Sequence, residues 1–84
     1  MRADPTDVFD TDRFLTDVAD YRTRRRHTLH DITDLSGVPI STVCGSMSRK
    51  QRPTLNTVVR LAVYADLDLN RYVTVDPNTI ATAL

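Results

Sequence analysis

Apolar positions recur along this chain at helical spacing, and strand-like alternation is almost absent. Phe14, Val18 and Tyr21 fall at i, i+4 and i+7 with Leu15 beside them, which predicts a helix with one apolar stripe. That helix is expected to begin near Asp10–Asp12, where acidic side chains meet the positive end of the helix dipole, and to close on Arg24, Arg25 and Arg26. A second helix is expected after Thr28. Thr28 and Asp31 have the spacing of a capping box, Ile32 and Leu35 are expected to point inward, and Gly37 supplies the left-handed stop. A third follows almost at once, with Pro39 suited to a helix start. Val43 and Met47 give it one buried edge. Its other face, Ile40, Ser41, Thr42, Cys44, Gly45 and Ser48, is small and mostly polar.

The fourth helix has Thr54 as its N-cap and a broad apolar face of Leu55, Val58, Val59, Leu61, Ala62 and Ala65. Asp66 tolerates the left-handed conformation that ends it. Asp68 is expected to cap a short fifth helix that packs Leu69, Tyr72 and Val73. Asp76–Pro77 reads as the cap and first position of a last short helix over 78–84. The segment Tyr72–Val75 carries the only strand signal. The expected fold is all-α: a compact bundle of about five short helices with a short C-terminal extension. Its parts are a flexible acidic stretch 1–9, a domain 10–73, and an extension 74–84 in which Val75, Ile80 and Leu84 suit self-association as well as folding back.

Length and composition narrow the functions open to it. Eighty-four residues make one domain. A chain of that size buries only ~60% of its unfolded surface, which leaves no room for a deep cleft with a catalytic constellation. An enzyme is not expected. The single Cys44 cannot form an internal disulfide and suits a reducing compartment. No apolar run approaches the length of a membrane span. The first ten residues lack the apolar stretch of a signal peptide, so a cytoplasmic protein is expected. His27 and His30 have neither a metal-ligand set nor a nucleophile near them in sequence. They are expected to face backbone or solvent, and no metal, cofactor or small-molecule ligand is expected.

The charges total zero, but they are polarised along the chain. Residues 1–20 hold six Asp against two Arg, and residues 53–84 hold three Asp against two Arg. Residues 21–52 hold seven Arg or Lys against two Asp. A partner responds to the local field, and this middle calls for an anion.

The residues from about Tyr21 to Val73 resemble the helix-turn-helix domains of phage repressors and Cro proteins, the broad lambda-repressor-like or XRE family. The resemblance rests on Ile32 and Thr33 before Gly37–Val38, on "GVPISTV" as turn and start of a recognition helix, and on "RKQRPTLNTVVRLAVYADLDLNRYV" as basic loop, proline and two following helices. The family usually has Ala where Thr33 stands, an apolar residue at Ser46, where Met47 is expected to take over the packing, and often a phosphate-binding Gln where Leu29 stands. The resemblance implies a sequence-specific regulator of double-stranded DNA, a small phage-type repressor or Cro-like protein. Its recognition helix would span about 39–48, and it would work in the host cytoplasm if phage-encoded, as a homodimer where the extension pairs.

On that reading helix three enters the major groove, about 12 Å wide, and its small outer face permits the approach. Ile40, Ser41, Thr42, Cys44 and Gly45, with Arg49 just beyond, are the candidate base contacts. Ile40 would pack on a thymine methyl or, alternatively, tuck against helix two, and Cys44 is equally a packing residue. Arg24, Arg25, Arg26, Thr28, Ser48, Lys50 and Arg52 are the candidate phosphate contacts. The basic run is open to a second reading as a well-capped helix end, and the basic loop to one as a solvated loop. Helix three offers no Gln, Asn or Arg for bidentate readout, so specificity would come from Arg49 or from DNA shape. The competing function is a protein-interaction module, antitoxin-like or a phage accessory factor, on the same scaffold.

Overall fold

The structure, a computed structural model, describes residues 8–74. The expected last helix over 78–84, with Val75, Ile80 and Leu84, lies outside the described residues, as does the stretch 1–7. Among the described residues the fold is all-α, with four α-helices and one turn of 3-10 helix.

Helix α1, Thr11–Arg25, starts where Asp10 accepts a hydrogen bond from the Arg13 N–H, and it ends with Arg26 in the left-handed conformation. Phe14, Leu15 and Val18 are its buried stripe. Helix α2, Leu29–Ser36, carries the complete capping box: Thr28 accepts from the Asp31 N–H and Asp31 accepts from the Thr28 N–H. Gly37, at φ 78°, closes it. Pro39 stands just outside α3, Ile40–Met47, as its N-cap residue. Helix α4, Leu55–Ala65, has Thr54 as N-cap and Asp66 as a left-handed stop. The expected fifth helix is a 3-10 turn, Leu69–Tyr72, capped by Asp68.

Helix α2 packs on α3 and α4, and α1 packs on α3, α4 and the 3-10 turn. The shared core is built from Phe14, Leu15, Val18, Ile32, Val38, Val43, Leu61 and Tyr72, with Val58, Ala62, Tyr64 and Ala65 at its edges. Burial of this kind stabilises by roughly 25 cal/mol per Å² of apolar surface.

Several inward assignments need correction. Leu35 is 62% exposed, and Ser36 takes the buried place instead. Ser36 can do so because its hydroxyl donates to the Ile32 carbonyl and accepts from the Val38 N–H at 3.1 Å, satisfying both groups where the chain turns. On α4, Leu55 is 77% exposed and Val59 is exposed, while Tyr64 is buried. Val73 is also exposed. Ser46 is fully buried in the inward position of α3, with Met47 only packed at the core's edge.

The strand signal at Tyr72–Val75 resolves into a single antiparallel bridge between Phe9 and Val73. The Asp10 N–H donates to the Tyr72 carbonyl at 2.7 Å, and the Thr74 N–H donates to the Val8 carbonyl at 2.9 Å. Phe9, Phe14 and Tyr72 meet with ring centroids 5.4–5.8 Å apart. Residues 8 and 9 therefore belong to the packed unit rather than to a flexible lead.

Candidate nucleic-acid interface

The corner between α2 and α3 is three residues long, Gly37 to Pro39, and it is fixed from both sides. Gly37 takes the positive φ that α2's end requires, and the neighbouring Val38 is buried. A Cβ at Gly37 would stand 2.8 Å from an Arg60 guanidinium nitrogen. That Arg60 nitrogen donates to the Ser36 carbonyl at 3.4 Å. Helix α4 thus braces the corner from behind.

The outer face of α3 carries small, partly exposed side chains. Ser41, Cys44 and Ser48 are exposed, and Ile40, Thr42 and Gly45 are half-buried beside them. The Ser48 hydroxyl donates back to the Cys44 carbonyl at 2.8 Å, so its proton is held by its own helix. Gly45 has a local reason as well. The Lys50 and Gln51 N–H groups both donate to its carbonyl, and a Cβ there would meet the Gln51 side chain at 2.6 Å. Gln51 therefore lies across the face that sequence reasoning left open, and an amide stands beside α3 after all.

The basic residues divide differently from the sequence expectation. Arg49 sits at φ 63° and turns back onto α1. Its Nε donates to Asp12 at 2.9 Å, and its other nitrogens donate to the Met47 and Asp12 carbonyls and to Thr16. Arg49 is thus a strap between the α3 end and α1, with four N–H bonds made within the fold. Lys50 and Arg52 are exposed. Arg25 lies over the Tyr21 ring, 5.2 Å from its centroid, and Arg26 is the α1 cap. Arg24 lines a surface depression with Asp17, Asp20 and Arg71, away from α3. The residue of this run that reaches α3 is Arg22, which lines a second depression with Leu29, Cys44, Gly45, Ser48 and Lys50.

Thr28 is committed to its capping box, both by hydroxyl and by N–H. The Thr28 N–H bond is the main cause that holds the Asp31 carboxyl below the usual range. His27 faces neither solvent nor backbone alone. Its Nδ1 and the Tyr64 hydroxyl share a hydrogen bond of 2.6 Å, and Tyr21 packs edge-on against Tyr64. Burial pushes the Tyr64 phenol up. Among the described residues no group of three His, Cys, Asp or Glu is placed to hold a metal ion, and no helix is long and apolar enough to cross a membrane.

No protein-family model, curated protein or solved structure matches this chain.

Proposed function

We propose that this chain is a sequence-specific regulator of double-stranded DNA, of the helix-turn-helix kind and in the manner of a small phage repressor or Cro-like protein. Helix α3 lies in the major groove and α2 crosses the backbone above it. One observation carries the reading. A corner braced by Gly37, Val38 and Arg60 presents an α3 face of small side chains, crossed only at Gly45 by Gln51, and that face stands at the basic centre of a chain that is acidic on either side. Ile40, Ser41, Thr42, Cys44 and Gly45 remain the base-facing set, now joined by Gln51, whose amide suits adenine. Arg49 leaves that set because its donors are used within the fold.

Selection of bound sites from random duplex DNA tests this directly. A recovered consensus, with affinity that falls as salt rises, is the expected result. A chain that retains no duplex even at low salt sinks the reading.

A second function has its own support. Leu55, Val59 and Val63 stand at i, i+4 and i+8 of α4 and are 77%, 42% and 78% exposed. This is an apolar stripe that fits a protein partner, so an interaction module on the same scaffold is the competing proposal. It predicts partner capture lost in Leu55→Ser with Val63→Ser, and no DNA retention.

A further inference from the structure

The two ends of the described chain leave the fold at one place. Phe9 and Val73 form an antiparallel bridge, and the Thr74 N–H donates to the Val8 carbonyl at 2.9 Å. Beside that bridge lies a depression of about 500 Å³, with Val8, Phe9, Leu55, Val58, Leu69 and Val73 as its apolar walls. Val8, Leu55 and Val73 are exposed. Single exposed apolar side chains are ordinary, but three that line one concave patch mark a surface that something covers.

The chain itself offers two segments for this place, because both begin at the rim. Residues 1–7 carry Met1 and Ala3 among Arg2, Asp4 and Asp7, and bring little apolar surface. Residues 75–84 carry Val75, Ile80, Ala81, Ala83 and Leu84 with one charge, Asp76. Ile80 and Leu84 are four apart, which puts them on one face of the helix expected over 78–84. Ile80 stands six residues beyond Thr74. Six residues span up to ~20 Å, so the reach is ample. Charge agrees as well. Arg52 is the one charged residue among the described residues that line the depression, and Asp76 has the opposite sign. A segment tethered at the rim also faces the groove at a roughly millimolar effective concentration, which a free partner must exceed.

We propose that residues 75–84 of the same chain fill this depression, with Ile80 and Leu84 seated against Val8, Leu69 and Val73 and with Leu55 left at the far rim. The seated segment straps the two chain ends together at the Phe9–Val73 bridge. It also sets what else can bind nearby. A protein that approaches the exposed stripe of α4 meets Leu55 beside a filled groove, so the chain itself bounds the surface it offers. The inference stands apart from the DNA-binding reading.

The experiment uses the intact chain, mixed from equal amounts of carbon-13-labelled and unlabelled protein. Nuclear Overhauser contacts are sorted into those within a labelled chain and those between a labelled and an unlabelled one. Contacts within one chain are expected, from the Ile80 and Leu84 methyls to the methyls of Val8, Leu69 and Val73. Ile80→Ser with Leu84→Ser should shift the methyl resonances of those three groove residues and leave those of Val63, outside the groove, in place. Val8→Ser with Val73→Ser, both at exposed positions, should remove the remaining contacts of Ile80 and Leu84 to Leu69. Contacts seen only between chains overturn the seat and hand the groove to a second copy. Absence of both kinds of contact, or groove resonances unmoved in Ile80→Ser with Leu84→Ser, overturns it too and leaves the groove open to another protein.

Discussion

Ser46 and Thr33 carry hydroxyls that are buried without a hydrogen-bond partner. Ser46 is fully buried on α3, and Thr33 is half-buried on α2. An unsatisfied buried hydroxyl costs about 1–3 kcal/mol. Ser46→Ala should accordingly raise the free energy of unfolding by about 1 kcal/mol, which urea denaturation will measure. A loss of stability would mean that the hydroxyl has a partner after all. Gly37 makes the opposite case. Its φ of 78° already disfavours a β-branched side chain, and the new Cβ would also meet Arg60 at 2.8 Å. Gly37→Val should lower stability by about 2 kcal/mol or more and, on the proposed DNA-binding function, weaken duplex binding with it. Unchanged melting would show that the corner does not need its left-handed residue.

Helix α4 shows how one element divides its apolar residues between core and surface. Leu61 is fully buried and Leu55 is 77% exposed, six positions away. Leu61→Ala should cost about 2–5 kcal/mol. Leu55→Ala should stay within about 0.5 kcal/mol, as surface changes usually do. Equal losses in paired melts would mean that something covers Leu55. Helix α2 is held at its start by electrostatics that depend on acid. The Thr28 N–H lowers the Asp31 carboxyl, so the folded state keeps it ionised at a pH where the unfolded chain has begun to protonate it. That contribution is complete above the ordinary carboxylate value near 4 and fades as pH falls through the folded one. Asp31→Asn preserves the acceptor and removes the charge. Its stability should therefore decline less steeply than the parent's between about pH 4 and pH 2.

The whole domain is closed by its two ends. Phe9 and Tyr72 join the core on Phe14, and the Tyr72 hydroxyl donates to Asp17 at 2.6 Å. Burial, then the bond to Asp17, pushes the Tyr72 phenol up to about 12. The unfolded chain releases that proton near pH 10, two units earlier, and so binds fewer protons than the folded one above that point. Stability should be flat from about pH 7 to 9 and fall between about pH 10 and 12. Tyr72→Phe should soften this alkaline fall while removing one hydrogen bond, about 1 kcal/mol at neutral pH. An alkaline limb unchanged in Tyr72→Phe would assign it elsewhere, with Tyr64 next in line.

The four α-helices, and the ends that a single side chain or glycine sets, were legible in the sequence because they are local. Asp10, Thr28 and Thr54 cap where their hydroxyl or carboxylate can reach an N–H three residues on, and Gly37 and Asp66 stop where the backbone must turn left-handed. The small polar face of α3 followed from the same 3.6-residue period. Tertiary structure decided what depends on neighbours distant in the chain. It exposed Leu35 and buried Ser36, because the turn offered Ser36 a donor and an acceptor together. It drew Phe9 into the core through pairing with Val73, a contact between opposite ends. For the basic cluster, sequence counted charges but could not assign them. Arg49 met Asp12, 37 residues away, and became a strap, whereas Arg22 lines a depression with Lys50 and the face of α3. A charge is available to a partner only if the fold brings it no counter-charge, and that is fixed by which helices pack together.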